Sequence, residues 1–246
     1  MRMEITKTKI FSAKLSRSYR IVVAADLHNR EPKGIIEEIR KLSPDMILVP
    51  GDLCHNLDKP HYHRDSKNGF LFLERASEIA DVYYSVGNHE KAVSKSTVRR
   101  IAKTGAILLD NKTVICGELA IGGLSSVSYN GRLRETPPPD LEYLKKFDSN
   151  HAFKLLLSHH PEYYPRYIRE TDIDLTVSGH AHGGQWRIFG RGVFAPGQGL
   201  FPKYTSGLFE NRLYVSRGLT NTCHPIPRIF NKTELAVIEL VTEEGK

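Results

Sequence analysis

Two histidines that follow a short apolar run are the strongest chemical feature of this sequence. The stretch Thr176–Gln185 reads TVSGHAHGGQ, in which the run ends at Ser178 and His180 and His182 follow with one small residue between them. Such a pair on one turn directs two nitrogen ligands toward the same cavity, and the two glycines after it allow the backbone to turn. The pattern predicts part of a metal site.

Four other polar turns precede this one, and each follows an apolar run typical of a buried strand. The polar residues of the five turns are, in order, Asp26 and His28, Asp52, Asn88 and His89, His159, and His180 and His182. Ligands collect at the carboxyl ends of strands in open α/β sheets, so we expect these residues to meet. Their nitrogen and oxygen donors suit Mn, Fe, Zn or Co, and they are too many for one ion. The set predicts two divalent metal ions that share a carboxylate.

The elements that carry the first turns alternate between strands and helices. Strands are predicted at Arg20–Ala25, Met46–Pro50 and Val82–Val86, with one helix opened by Pro32 and another at Phe70–Ala80. This alternation predicts parallel strand pairing with right-handed crossovers. Ile5–Leu15 alternates apolar and polar residues and predicts an edge strand or hairpin, whereas the polar segment His55–Asn68 is predicted to be a loop.

The rest of the chain is predicted to be richer in strands. Ser96 is predicted to cap a helix that ends at Gly105. Further elements are strands at Ala106–Leu109, Thr113–Cys116, Leu119–Ile121, Lys154–Leu157, Leu175–Ser178, Trp186–Phe189, Arg212–Val215 and Glu234–Leu240, a helix at Asp140–Phe147, and loops at Ser125–Pro139 and Gly190–Gly207. Because no repeat, low-complexity tract or linker interrupts the chain, residues 1–246 are predicted to form one domain.

Composition restricts the class of protein and its surroundings. Hydrophobic residues make up 40% and charged residues 26% of the 246 residues, as in ordinary globular proteins. The net charge of +7 suits an anionic substrate, but no block of Lys and Arg argues for nucleic acid. The three cysteines form no close pair, and no apolar run approaches membrane-spanning length. We therefore expect a cytoplasmic protein.

The five turns resemble, in this order, the blocks of the calcineurin-like metallophosphoesterase superfamily. The matching motifs are DLH, GDL, GNHE, LLLSHHP and SGHAHGGQ, between about Arg20 and His182, and every metal-ligand position is filled. The segment Pro196–Glu234 is similar to one branch, the small bacterial phosphodiesterase-like proteins. The resemblance implies an α/β fold in which a two-sheet β-sandwich is flanked by helices in four layers, α/β/β/α, with a dinuclear metal site at one edge.

The resemblance also implies a role for each matching residue. Asp26, His28 and His182 would hold the first metal, Asn88, His159 and His180 the second, and Asp52 would bridge both. His89 would face the phosphate with Asn88 and donate a proton to the leaving oxygen, and Glu90 would orient its imidazole. His160 varies in the family and is not expected to bind metal. Arg217 and Arg228 would supplement the contacts to phosphate, and a structural ion pair is the alternative for both.

The implied activity is hydrolysis of a small phosphoester, in which a hydroxide that bridges the two metals attacks phosphorus. A phosphodiesterase is implied by the branch. A phosphomonoesterase or a nuclease on the same site, and a non-catalytic protein-binding scaffold, are the alternatives. The natural substrate, the native metal pair and the oligomeric state stay open.

Other reactive side chains are predicted to have structural roles. His55, His61 and His63 are interpreted as part of a solvated loop rather than as another metal site. Cys54 is interpreted as a packing residue, because nothing basic next to it would lower the pKa of its thiol. Cys223 and His224 are interpreted as residues of a Pro-rich turn.

Overall fold

A computed structural model of the chain describes residues 3–55, 57, 63–90, 93–126, 136–220 and 227–243. Two six-stranded sheets pack face to face, and helices cover the outer face of each sheet. The predicted four-layer α/β/β/α sandwich is therefore confirmed.

The first sheet is mostly parallel. Its strands, in spatial order, are β1 (Glu4–Ser12), β16 (Glu234–Thr242), β2 (Tyr19–Val23), β3 (Met46–Pro50), β4 (Asp81–Ser85) and β5 (Ile107–Leu108). Strands β2 to β5 are parallel to one another, as the alternation of strands and helices predicts. β1 lies at the edge and is parallel to β16, which runs antiparallel to β2.

Three helices connect the parallel strands of the first sheet and cover its outer face. They are α1 (Lys33–Leu42), α2 (His63–Ser77) and α3 (Lys95–Lys103). Each helix contributes a buried side chain to the core against Val22 and Ile47 of the sheet: Ile36 from α1, Phe72 from α2 and Ile101 from α3. In the described part of the chain, none of the helices combines the length and the apolar character that crossing a membrane requires.

The start of α2 differs from the prediction. The helix begins at His63 rather than at Phe70, so the second half of the predicted loop His55–Asn68 is helical. The first turns of α2 are polar and lack the apolar spacing that reveals a helix in sequence. A distant residue joins this part of α2 to the loop after β2, because the Asn29 Oδ1 accepts hydrogen bonds from the N–H groups of Asn68 and Gly69 at 2.9 and 3.2 Å.

The cap of α3 also differs from the prediction. Ser94, not Ser96, precedes the helix in an extended conformation, and its hydroxyl accepts the N–H of Thr97 at 3.2 Å. Both serines fit the preference for a capping hydroxyl. Ser94 is the cap because the helix begins at the next residue, Lys95, whereas Ser96 lies inside the helix.

The second sheet is parallel at its centre. Its strands, in spatial order, are β14 (Gly207–Phe209), β15 (Leu213–Val215), β9 (Leu175–Ser178), β8 (Phe153–Ser158), β7 (Leu119–Leu124) and β6 (Lys112–Cys116). Helix α4 (Leu141–Asp148), capped by Asp140, packs on its outer face together with a π-helical turn at Tyr164–Ile168 that the sequence does not predict.

Alternating side chains build the core between the two sheets. Ile21 and Val23 of β2 face Leu155 and Leu157 of β8, whereas Val22 faces the helices. Each fully buried aliphatic side chain stabilises the fold by about 1.5–3 kcal/mol. This packing fixes the two sheets against each other and brings the carboxyl ends of their parallel strands to one edge.

Two small hairpins follow β9 at this edge. A 3₁₀ turn at His182–Gly184 leads into β10 (Arg187–Ile188) and β11 (Arg191–Gly192), and then into β12 (Phe194–Ala195) and β13 (Gly199–Leu200). The predicted strand Trp186–Phe189 is present in shortened form. The predicted loop Gly190–Gly207 is wrong in part, because it contains most of these short strands.

Candidate metal centre

Five loops meet where the parallel strands of both sheets end. They follow β2, β3 and β4 in the first sheet and β8 and β9 in the second. The His28 N–H donates to the Asp52 carbonyl at 3.0 Å, and the Gly179 N–H donates to the His159 carbonyl at 3.2 Å. The polar turns singled out in the sequence therefore lie side by side.

Most of the predicted ligand residues have an unusual backbone. Five of the seven have left-handed conformations with φ between 44° and 63°: Asp26, His28, Asp52, His180 and His182. L-residues rarely adopt this region, because Cβ then approaches the carbonyl oxygen. Strain of this kind persists only where the surrounding structure enforces it, and it concentrates at functional sites.

The first group of donor atoms comes from Asp26, His28 and His182, which lie within 4.8 Å of one another. The Nε2 atoms of His28 and His182 are 3.4 Å apart, and the His182 Nε2 is 3.8 Å from the Asp26 Oδ1. Asp26 is fully buried and accepts the N–H of His180 at 3.1 and 3.2 Å. Two imidazoles and a carboxylate thus converge on one point.

The second group of donor atoms comes from Asp52, His159 and His180, and these atoms also lie within 4.8 Å of one another. Asn88 adds an amide oxygen, because its Oδ1 lies 3.1 Å from the His159 Nε2. The Nδ1 of His159 donates to the Pro50 carbonyl at 2.8 Å, which directs the Nε2 into the cavity. The buried Nε2 of His180 has no hydrogen-bond partner within the described residues.

Asp52 lies between the two groups. Its Oδ2 is 3.2 Å from the Nε2 of His159, 3.7 Å from that of His28 and 3.9 Å from that of His89. Its Oδ1 accepts the backbone N–H of His89 at 2.9 Å. One carboxylate is therefore within reach of both sets of ligands.

Two glycines leave room for this arrangement. Gly51 has a φ of 91°, and a Cβ there would lie 2.6 Å from the His159 Nδ1. A Cβ on Gly87 would lie 2.3 Å from the Asp52 Oδ1. An alanine at either position would have to displace a predicted ligand.

Burial keeps most of the imidazoles neutral. It lowers the pKa of His28 to about 3, against the opposing charge of Asp52. It also lowers the pKa values of His180 and His182 well below the ordinary value. A neutral imidazole retains the lone pair that binds a metal ion.

The pKa values of the two buried carboxyl groups, Asp26 and Asp52, are shifted in opposite directions. Burial raises the pKa of Asp26 to about 7, and the nearby Asp52 adds to this effect. Burial acts on Asp52 as well, but its contact with His159 lowers the pKa of Asp52 well below the usual value. In the same contact, Asp52 overcomes burial and raises the pKa of His159 to about 10. A divalent ion at this place would supply the positive charge that both carboxylates need.

Glu90 has a different partner from the predicted one. Its fully buried carboxylate accepts three backbone N–H groups, those of Asp52 at 3.0 Å, Gly87 at 2.6 Å and Cys54 at 3.1 Å. Burial raises the pKa of Glu90 to about 7. The carboxylate therefore orients the loop of Asp52 rather than the imidazole of His89, which corrects the predicted role.

His55 contacts the imidazole of His89 instead. Their Nδ1 atoms are 2.8 Å apart, and the His55 ring stacks on the His28 ring with the centroids 4.9 Å apart. The prediction of a solvated loop is therefore wrong for His55, which lines the site. Its position in the loop that carries Asp52, three residues further on, is the sequence feature that would have placed it there.

The remaining residues with predicted structural roles divide into two sets. Cys54 is buried in the core beneath the helices, as predicted for a packing residue. His63 is the first residue of α2. Outside the described residues lie His61, Cys223, His224 and most of the predicted loop Ser125–Pro139.

Arg217 forms an ion pair at the first sheet. Its Nη2 donates to the Glu4 Oε2 at 2.8 Å and lies 3.5 Å from the Glu234 Oε1. The guanidinium thus connects the first residues of β1 and β16. The alternative prediction of a structural ion pair therefore fits Arg217, and its predicted contact to phosphate has no support.

Arg228 lies next to the first group of ligands, but its hydrogen bonds are to the backbone. Its Nη2 donates to the carbonyls of Arg217 and Thr220, both at 2.6 Å, and lies 3.3 Å from the Nδ1 of His182. Burial lowers its pKa to about 10. The buried guanidinium braces the loop around His182, and its predicted contact to phosphate stays a prediction.

Beside the second group, His160, Glu162 and His180 form another compact set. The His160 Nδ1 is 3.2 Å from the Glu162 Oε1, which also accepts the Thr136 hydroxyl at 2.5 Å. Although burial opposes it, the contact with His160 lowers the pKa of Glu162. The adjacent histidines thus have different partners, since His159 faces Asp52 and His160 faces Glu162.

Several proteins with similar sequences are named metallophosphoesterases. The chain is 28% identical over 253 residues to an uncharacterized metallophosphoesterase of Helicobacter pylori (strain J99), covering 98% of this chain and 64% of the relative. It is 28% identical over 249 residues to one of Campylobacter jejuni, covering 96% and 63%. Phosphodiesterase YaeI of Escherichia coli (strain K12) is 27% identical over 244 residues, covering 91% and 82%. The chain spans less than two thirds of the Helicobacter and Campylobacter relatives.

Solved structures and a family model complete the comparison. The protein TT1561 of Thermus thermophilus is 15% identical with a TM-score of 0.46, covering 65% of this chain and 81% of that one. An archaeal phosphodiesterase is 12% identical with a TM-score of 0.45, covering 85% and 89%. The model of the calcineurin-like phosphoesterase family matches residues 19–184, which include all five loops of the candidate site. The chain therefore belongs to the calcineurin-like phosphoesterase family.

Proposed function

We propose that the protein is a dinuclear-metal-dependent phosphoester hydrolase that prefers phosphodiesters. The single observation that carries the proposal is the position of Asp52, whose Oδ2 lies 3.7 Å from the His28 Nε2 and 3.2 Å from the His159 Nε2. One carboxylate between two compact donor groups is the arrangement that a pair of cations requires. Such a pair is suited to hold the oxygens of a phosphoester.

The residues fit two divalent ions. Asp26, His28 and His182 would hold one ion, Asn88, His159 and His180 the other, and Asp52 would serve both. Neutral nitrogens and carboxylate oxygens suit Mn, Fe, Zn or Co. The His28 and His182 Nε2 atoms are 3.4 Å apart, which is close enough for both nitrogens to bind one ion at the usual distance of about 2.0–2.1 Å.

When bound, two such ions supply Lewis acidity and an activated water for in-line attack on phosphorus. His89 has the side chain suited to assist the leaving group, because its imidazole is one-third exposed at the open side of the site. Its Nδ1 is occupied by His55, so the Nε2 is the atom that would hold a proton for the leaving oxygen. Asp52 accepts the backbone N–H of His89 and so fixes the position of the backbone that carries this imidazole.

The partners of Arg217 and Arg228 favour a diester over a monoester. A monoester carries about two negative charges near neutral pH and profits from extra cations, whereas a diester carries one. Arg217 and Arg228 were expected to provide extra positive charge for the phosphate. Both have other partners, since Arg217 binds Glu4 and Arg228 binds backbone carbonyls. The relative in Escherichia coli named a phosphodiesterase points in the same direction.

A hydrolysis screen tests the proposal. We expect bis-p-nitrophenyl phosphate to have a higher kcat/KM than p-nitrophenyl phosphate with Mn²⁺, and Asp26→Asn to abolish both activities, which excludes a contaminating phosphatase. A monoester preference across Mn²⁺, Zn²⁺, Co²⁺ and Fe²⁺ would overturn the diester assignment. Metal-dependent cleavage of DNA or RNA with steep salt dependence would indicate a nuclease. Absence of both bound metal and turnover would indicate a scaffold.

A further inference from the structure

Large apolar side chains are exposed beside the metal centre. Of the twelve exposed large hydrophobic residues in the described part of the chain, eight lie in the segments 186–201 and 229–230. We use the name apolar rim for Trp186, Phe189, Phe194, Leu200, Phe201 and Phe230. Phe201 and Phe230 are 78% and 88% exposed. Exposed apolar side chains concentrated in two short segments in this way point to an interaction site.

Backbone pairing brings the first segment of the apolar rim together. Phe194 and Leu200 lie directly opposite each other across β12 and β13. The Phe201 N–H donates to the Val193 carbonyl at 2.8 Å, and Phe189 forms the turn between β10 and β11. These side chains therefore belong to two adjacent hairpins.

The second segment joins the first through Trp186. This residue pairs with Ile229 in an isolated bridge, and its indole Nε1 donates to the Pro227 carbonyl at 2.9 Å. Phe230 follows directly and therefore lies beside the first hairpin. The first hairpin adjoins the candidate metal centre, because the Arg187 Nη1 donates to the carbonyl of Gly183, the residue after His182, at 2.9 Å.

The backbone at the tips of the apolar rim is strained. Phe189, Phe201 and Phe230 have φ values of 48°, 50° and 52°. Glycine or asparagine is the usual residue in this region, because a bulky side chain there is disfavoured. Strained and exposed phenylalanines add nothing to the core, so their presence at three tips points to a use outside it.

Positive charge accompanies these side chains. A cleft of about 580 Å³ between the hairpins is lined by Arg187, Arg191 and Lys203, with Phe201 beside them and no carboxylate among its described lining residues. From Gly179 to Thr233 the sequence contains seven Lys and Arg residues and one acidic residue, Glu210. Most of the net charge of the protein therefore comes from the part of the chain that contains the apolar rim.

We propose that the apolar rim docks the protein peripherally on an anionic phospholipid bilayer. Aromatic side chains at the level of the headgroups, flanked by Arg and Lys, are the combination that bilayer interfaces favour. The phenylalanines would enter the boundary between headgroups and acyl chains, while the exposed Arg191 and Lys203 would contact lipid phosphates. This inference does not depend on the proposed hydrolase activity.

The charge distribution argues against a second copy of the chain as the occupant. Two apolar rims facing each other would bring the same set of cations together, and like charges at an interface oppose association. A bilayer with anionic lipids instead attracts each basic residue near its surface. The pairing of apolar and basic residues without acidic ones therefore favours the bilayer.

Sedimentation with vesicles tests the proposal. We expect the 246-residue protein to bind vesicles of phosphatidylcholine mixed with phosphatidylglycerol, and to bind vesicles of phosphatidylcholine alone much more weakly. Phe189→Ser combined with Phe230→Ser should lower the partition coefficient by about tenfold or more. Arg191→Gln and Lys203→Gln should each lower it by roughly fivefold on the anionic vesicles only.

A matched control and light scattering make the result decisive. Ile115→Ser combined with Leu141→Ser removes two exposed apolar side chains elsewhere and should leave vesicle binding unchanged. Thermal melting of each variant checks that it is folded. Failure of the wild-type protein to bind anionic vesicles, or equal binding by the Phe189 and Phe230 double variant, would overturn the proposal. So would a dimer of the wild-type protein that this variant dissociates.

Discussion

The His159 Nε2 lies 3.2 Å from the Asp52 Oδ2, and this contact joins the end of β8 in one sheet to the end of β3 in the other. The Nδ1 of His159 donates to the carbonyl of Pro50, the last residue of β3, at 2.8 Å. Both ring nitrogens are thus fixed by the strand that leads to Asp52. The geometry of the shared carboxylate therefore depends on the packing of the two sheets against each other.

Asp52→Asn should lower the content of both metals, because a carboxylate offers an oxygen to each ion and an amide offers only one good acceptor. For the wild-type protein, Mn²⁺ at a hundredfold excess over its Kd should stabilise the fold by about 2.7 kcal/mol and raise the Tm by roughly 5–10 °C. The variant should show less than half of this shift. The exposed Asp172→Asn is the control. Two fully bound ions in the Asp52 variant would rule out a shared ligand.

His89→Ala should separate catalysis from metal binding. Its imidazole is one-third exposed and is 3.9 Å from Asp52, farther than those of His28 and His159. We expect near-normal metal content and a loss of about 10²–10⁴-fold in kcat, the usual range for a general acid. His180→Ala should instead lose metal. Metal depletion in the His89 variant to the same extent would mean that the two roles are exchanged.

His55→Ala should lower kcat without removing metal, because His55 holds the ring of His89 through the 2.8 Å contact between their Nδ1 atoms. Misplacement of a catalytic group by about 1 Å can cost up to ~10²-fold, so we expect a loss of roughly 10–10²-fold with KM little changed. His55→Gln, which keeps a hydrogen-bonding group, should recover part of the rate. His151→Ala, at an exposed histidine, is the control. Loss of bound metal in His55→Ala would make His55 a ligand instead.

The parts of the fold and site that follow strand ends could be predicted from sequence. Runs such as RIVVAA and MILVP are buried on both faces, so they identify parallel strands, and the polar residues after them must lie at one edge. Asp26 and Asp52 therefore meet although 26 residues separate them. Periodicity also gives the core faces of the helices, as with Ile35, Ile36 and Ile39 in α1.

Partner choice within the site could not be predicted in the same way. Glu90 follows His89 in sequence, but its carboxylate binds three N–H groups of other residues in the folded chain. Arg217 lies 213 residues from Glu4, and only the pairing of β1 with β16 brings them together. Local sequence contains neither relationship, because both depend on packing between distant segments. The start of α2 escapes prediction for a different reason, because its polar first turns lack the apolar spacing that reveals a helix.

The adjacent histidines provide the last test, since both are fully buried and only one faces the shared carboxylate. His159→Ala should empty the second metal position. His160→Ala should leave both positions filled, because the Nδ1 of His160 is 3.2 Å from Glu162 and not directed at Asp52. It should still destabilise the fold by about 1–3 kcal/mol, since the buried Glu162 loses a partner. Metal analysis together with urea unfolding of the chelated protein separates the two effects. Equal metal loss in both variants would show that His160 also belongs to the metal centre.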